Sequence, residues 1–457
     1  MVVERRGEKL IAPIFFAIIL LFIKFNFGNK IFIAAFAILT AIFLMIYNFK
    51  IGLYGATFLY VFLPDRLGLL MMFGLLFMFL FDYIKNERAK LLKEPLLTPV
   101  IFYLLIAFIA TLSSFYFAGS ARDMGIHLAG ISFLFVFINT IDDKESLNNA
   151  LTFLILAAFL VAIYGVLQYF TGVQIRREWV DVESTPDIMA RVYSVFGNPN
   201  ILAEYLVFTT PIAIGMMWQT KSIWKKFVFA IGSAIMLICI LLTMSRGGWL
   251  AIAVAALMFC ILIDIRLLWL AIPAVLLVLM ILPASYLTRL TSITNLTDTS
   301  IAHRFQMWDI TINMIQDRFF AGVGFGHLPF KMIFETYIRT IALFHTHNSY
   351  MQTLAETGIA GFVPFIMMLY TFIKYPIVRL MKAEDKYFKT IGAGVISGLT
   401  GILMHAMFDH IFYLTKIIFT FWIVIAILIT MMRISGEIKT KELSNGREFI
   451  KIIRRRK

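Results

Sequence analysis

Apolar runs about as long as a bilayer is thick recur from one end of the chain to the other, broken by short polar stretches. They cover residues 10–27, 31–47, 51–64, 67–84, 97–117, 124–140, 150–170, 201–218, 227–243, 247–263, 267–284, 358–375, 388–407 and 414–432. Each except 51–64 approaches the ~20 residues a spanning helix needs. The pattern predicts an all-α polytopic integral membrane protein with about 12–14 transmembrane helices. No internal repeat and no low-complexity tract interrupts it.

Two stretches outside the apolar runs are too long to be simple connectors, 171–200 and 285–357. Within the second, Ser300 is positioned to cap a helix whose apolar residues Ile301, Phe305, Trp308, Ile312 and Ile315 follow helical spacing. Gly322, Gly324 and Gly326 should end it. The expected architecture is therefore a membrane bundle with one large, partly helical outer loop.

Composition agrees, at 61% hydrophobic and only 15% charged. The net charge of +14 could indicate nucleic acid, but its placement argues for membrane lipid instead. Lys85, Arg88, Lys90 and Lys93, then Lys221, Lys225 and Lys226, then Lys374, Arg379, Lys382 and Lys386 sit between apolar runs. With Arg433 and the basic tail to Lys457, these mark the cytoplasmic side. Alternation from Arg5 and Arg6 puts every cluster inside, with both termini cytoplasmic, provided 51–64 crosses. No cleavable signal is predicted, because 10–27 lacks a small-residue cleavage site and more spans follow. Cys239 and Cys260 are isolated inside apolar runs, which fits buried thiols rather than a disulfide or zinc site.

The outer face then collects Arg191, Arg246, Arg304, His347 and Asp409. Arg246 lies in Ser245-Arg246-Gly247-Gly248-Trp249, at a junction between spans; Arg191 precedes Gly197-Asn198-Pro199-Asn200. Guanidinium groups grip phosphate oxygens two at a time, so arginines gathered at the outer leaflet suit a lipid-linked diphosphate. The plain alternative is interfacial snorkelling. His347, in His345-Thr346-His347-Asn348, is either a general base or a capping, interfacial histidine. Asp409 orients a base, pairs an arginine, or is an ordinary interface carboxylate. Glu204 and Glu356 read as structural, and Gly394-x-x-x-Gly398 as a close helix contact.

His347-Asn348, nine residues, then Gly358-x-x-Gly361 resembles the signature of bacterial O-antigen ligases and related polymerases. Residues 245–251, Arg304-x-x-x-Trp308 with Gly322-x-Gly324, and Gly197-Asn198-Pro199-Asn200 with Arg191 are similar to the same family. These motifs run in order from about residue 190 to 410, while the first third matches only as membrane helices. The resemblance divides the chain into membrane helices over 1–189, a ligase-like region over 190–432 that includes loop 285–357, and a basic tail over 433–457.

The resemblance implies an inverting glycosyl transfer that needs no metal and no cofactor, at the outer face of the cytoplasmic membrane. The donor is a glycan on undecaprenyl diphosphate, and the acceptor a hydroxyl of a glycan, a lipid core or a protein. It implies that His347 deprotonates the acceptor with Asp409 in support, that Arg191, Arg246 and Arg304 hold the diphosphate, and that Asn348 and Asn198 assist. A polysaccharide polymerase of the same family is the alternative. A secondary transporter is the alternative from another class. It would place ionisable groups at mid-membrane in repeated halves, whereas only Lys24 is expected deep in a span.

Overall fold

A computed structural model describes residues 48–85, 95–172, 191–291, 299–339, 345–412 and 414–455. The described residues are helical throughout, with no strand. The chain divides into two units, Met1–Ala56 and Thr57–Lys457. Expectations for 10–47, for Lys24, for Arg88, Lys90 and Lys93, and for most of 171–200 lie outside the described residues.

Among the described residues, ten helices are long and apolar enough to cross a membrane, or eleven if a sharply bent pair counts as one span. This is a multi-pass membrane protein. The helices that matter below are α1 (Phe49–Leu59), α2 (Asp65–Lys85), α3 (Thr98–Leu112), α4 (Phe117–Thr140) and α5 (Lys144–Thr171). They continue with α6 (Pro199–Gln219), α7 (Ile223–Leu242), α8 (Arg246–Ile263), α9 (Leu268–Ile281) and α10 (Ala284–Thr291). The loop helices are α11 (Thr299–Asp317) and α12 (His327–Tyr337), before α13 (Ser349–Leu380), α14 (Lys386–His405) and α15 (Thr415–Arg455).

The expected crossing at 51–64 is not made by one helix. α1 has 11 residues, about 16 Å of rise against a hydrocarbon core of about 30 Å, and a turn follows it. The span expected over 124–140 is present but longer than expected. Hydropathy starts a span at Met124, but α4 begins at Phe117 and carries Asp123 and His127 inside the bundle. Glu204, Glu356 and His405 are likewise buried within spanning helices. Ionisable groups are thus more common within spans than the sequence pattern implies.

α14 is the centre of the packing, clasped by α6 and α8. Its glycines make this possible: a Cβ at Gly398 would collide with the Phe208 carbonyl of α6, and one at Gly401 would stand 2.8 Å from the Ala251 carbonyl of α8. The expected close contact at Gly394 and Gly398 is present, and it is made with α6 backbone.

The loop helix forms, but one residue and one face away from expectation. α11 starts at Thr299, so Ser300 falls within its first turn rather than capping it. Its buried face is Met307, Thr311 and Met314, packed with Val323, Phe330, Phe334 and Ala355. Phe305 and Ile312 are exposed. The two faces are neighbouring stripes of one helix, and α12 and α13 cover the other one.

α13 is really two helices joined at Gly358, whose φ of 62° is open mainly to glycine. The break frees carbonyls, and the glycine turn after α11 satisfies them: Val323 N donates to Ala355 O at 2.9 Å and Gly324 N to Glu356 O at 3.1 Å. Ile359 N returns a bond to Phe319 O at 2.8 Å. The long loop is therefore hydrogen-bonded to a spanning helix.

Candidate active site at one rim of the bundle

Asn348 caps α13, its side chain accepting from Tyr350 N and Met351 N. Immediately before it, His347 adopts a φ of 52°, unusual for a residue with a side chain. The peptide of Thr346 is fixed on both sides, its N–H donating to Gln352 Oε1 at 2.9 Å and its C=O accepting from Trp308 Nε1 at 2.8 Å. Gln352 donates in turn to Glu356 Oε1 at 2.7 Å, and Glu356 Oε2 accepts from Gly326 N at 3.0 Å. This chain of buried polar groups aims His347 at the α14–α15 connection.

There Asp409 stands 3.0 Å from His347 Nδ1. Ser349 binds the two segments together, donating to Asp409 O at 3.1 Å and accepting from Ile411 N at 2.9 Å. Asp409 Oδ1 also accepts from His410 N at 2.9 Å. Burial pushes the Asp409 carboxyl upward, but His347, His345 and Arg304 outweigh it and hold the group well below the usual carboxylate range. Burial and the neighbouring His347 push His345 down to about 3, against the pull of Asp409. His345 is thus neutral at ordinary pH. The His347 side chain is 33% exposed where that of Asp409 is 9%, so the ring has one side on the carboxylate and another open.

The carboxylate leads on to the arginines. Asp409 Oδ2 accepts from Asn200 Nδ2 at 3.2 Å, and Asn200 Oδ1 accepts from Arg191 Nη2 at 3.0 Å. Arg191 also donates through Nε to Thr243 O at 2.9 Å, just before Ser245, which caps α8 and sets Arg246 as its first residue. Burial, then the guanidinium groups of Arg289, Arg246 and Arg304, hold Arg191 below its ordinary value. Four arginines from separate segments therefore share one region, and guanidinium stays charged at neutral pH.

All five residues singled out in the sequence for one face, Arg191, Arg246, Arg304, His347 and Asp409, are brought together. Two details change. The bridge to Asp409 is Asn200, while Asn198 caps α6 by accepting from Asn200 N. Arg289 is an arginine the sequence reading missed. It sits on α10, buried, three residues after Tyr286, whose ring lies 6.1 Å from that of Trp249 on α8. The signal available was Tyr286-x-x-Arg289 on one face of a short amphipathic stretch.

Glu204 lies 3.5 Å from His405, both buried, and Glu356 accepts from Gly326 N in the loop. Asp181 and Glu183, the acidic pair that a metal-dependent donor site would call on, lie outside the described residues. Among the described residues, one group could hold a metal ion: His345, His347 and Asp409.

Four guanidinium groups beside a histidine–carboxylate pair can chemically hold an anion next to a group able to accept a proton. Residues 231–366 match the O-antigen ligase family. No curated protein matches the chain. The O-antigen ligase match opens within α7 and closes within α13, taking in Arg246, Arg289, Arg304, His347 and the Gly358 break. Arg191 and Asp409 lie beyond it, yet hydrogen bonds and charge tie them to residues inside it, and Asn200, also outside, bridges the two. The match supports a membrane glycan ligase- or polymerase-type function.

Proposed function

We propose that the protein transfers a glycan from undecaprenyl diphosphate to an acceptor hydroxyl at the outer face of the cytoplasmic membrane, by a single inverting displacement that uses no metal. The observation that carries this reading is the continuous path His347–Asp409–Asn200–Arg191, with Arg246, Arg289 and Arg304 beside it.

In this mechanism Asp409 accepts the Nδ1 proton of His347 as a hydrogen bond and leaves Nε2 free. The acceptor hydroxyl gives its proton to Nε2 as its oxygen attacks the anomeric carbon. The bond from that carbon to the diphosphate breaks, and the configuration inverts because attack comes opposite the leaving group. Undecaprenyl diphosphate departs as an anion that needs positive charge rather than a proton, which the arginines supply. Basic loops at the far end of the bundle favour the cytoplasm there, which supports an outer position for this rim.

The test is purified protein given a lipid-diphosphate glycan, with and without chelator, the product sized on a gel. One discrete transfer identifies a ligase and a ladder a polymerase of the same family. No transfer to any hydroxyl acceptor, or transfer abolished by chelator and restored by magnesium or manganese, removes the mechanism.

A further inference from the structure

Three ligand atoms in the site face a common point. One ring nitrogen from each of His345 and His347 and one carboxylate oxygen of Asp409 all lie within 4.8 Å of one another. The carboxylate oxygen is 3.0 Å from His347 Nδ1 and 3.9 Å from His345 Nδ1. Ligand atoms on a tetrahedral zinc ion with bonds of about 2.0–2.1 Å stand roughly 3.4 Å apart. These two separations bracket that value, and on binding the ion His345 Nδ1 exchanges the hydrogen bond it accepts from His347 N at 3.3 Å for a bond to the metal. Two imidazole nitrogens and one carboxylate oxygen favour zinc, copper or nickel over magnesium or calcium.

The surroundings are those of a supported site. Asp409 Oδ2 is held by Asn200, and the His345 and His347 rings pack with centroids 4.3 Å apart. The exposed side of His347 leaves a position for water or another ligand. Arg304, close enough to act on both Asp409 and His345, opposes a dication. The affinity should therefore fall below that of structural zinc sites.

We propose that His345, His347 and Asp409 bind a zinc-class transition ion, and that the bound ion switches off glycan transfer. The inhibitory half rests on the reading of His347 as the base. The ion forms its bond with the Nδ1 lone pair of His347, so the single ring proton of the neutral imidazole moves from Nδ1 to Nε2. No proton is released from that ring, no electron moves, and Nε2 no longer has a lone pair for the acceptor hydroxyl. The ion occupies the position of the hydrogen bond that now selects the productive tautomer.

Binding is measured on the detergent-purified full chain without glycan donor, by calorimetric titration with zinc chloride. One equivalent is expected, with affinity weakened by about tenfold or more in His345→Ala and in Asp409→Asn. Cobalt added to the wild-type protein should give the intense visible bands of a tetrahedral site, a readout that needs no variant to fold. Absence of stoichiometric binding, affinity equal in all three proteins, or the pale spectrum of octahedral cobalt overturns the site. Transfer by the wild-type protein should fall with zinc occupancy and return with chelator. Zinc bound at the triad with turnover unchanged overturns the inhibitory half. Wild-type turnover in His347→Ala would remove the base assignment, while the titration still judges the metal site by itself.

Discussion

His347 and the arginines make separable contributions, and substitutions should show it. A folded His347→Ala protein is expected to bind lipid-diphosphate donor normally while turnover falls about a hundredfold to ten-thousandfold, the usual worth of a positioned base. Arg246→Ala or Arg289→Ala should weaken donor binding as well, since a charge-assisted phosphate contact contributes about 1.5–3 kcal/mol. Arg246→Lys should recover only part, because an ammonium keeps the charge and loses the fork. Donor affinity and turnover per folded molecule check all of these; loss of folded yield alone would mean structural roles. Gln352→Met tests the support behind the base. It leaves the buried Thr346 N–H without its acceptor, and turnover should drop while donor affinity holds. Arg191, Arg246 and Arg304 were legible in the sequence because each sits in a motif with its own turn or cap. Arg289 and Asn200 were not, because their roles come from partners tens to hundreds of residues away.

Helices and loops carry the next set of constraints. Periodicity located most spans, since a lipid-facing helix must be apolar almost everywhere. It misplaced the start of α4, whose first turns hold Asp123 against His327 at 2.7 Å and so tolerate charge inside the bundle. It also chose the wrong stripe of α11, where two adjacent faces are both apolar and tertiary contact selects one. The His347 to Gly358 spacing has a plain structural meaning: a capped short helix, then a left-handed break onto which the loop docks. Gly358→Ala should cost roughly 1–3 kcal/mol for the backbone conformation alone, with a further clash against the Phe320 carbonyl. Gly398→Leu would force α14 away from α6 and should cost about 1–3 kcal/mol or more. Thermal unfolding in detergent measures both; wild-type midpoints would contradict the packing described.

Among the described residues of the second unit, Thr57–Lys457, successive spans lead from one rim to the other and sort the ends into two kinds. Lys144 meets Asp385 at the rim that also receives the basic connection between α6 and α7, while His347, Asp409 and the arginines share the other rim. α9 makes this arrangement possible: its 14 residues carry the chain from the end of α8 to α10, where Arg289 joins the site. Cysteines introduced as Gln316→Cys and Glu384→Cys should therefore react with an impermeant reagent from opposite sides of a sealed membrane. Reaction of both from one side would contradict the arrangement.

The order in which these groups occur along the chain also bears on how the protein is made. Arg191, Arg246, Arg289 and Arg304 precede His347, and the carboxylate that faces them, Asp409, comes after all of them. During synthesis the cationic group is complete well before its counter-charge emerges, so a nascent chain holds the four arginines before Asp409 is made. Chemistry on the carrier lipid would then begin only when α14 and α15 have inserted, which protects the donor from a half-built enzyme. Residues 1–383 and 384–457 produced as separate polypeptides should each be inactive, and should regain transfer when co-expressed, because α14 brings its own glycine face to α6 and α8. Transfer by the first piece alone would show that Asp409 is dispensable to the reaction.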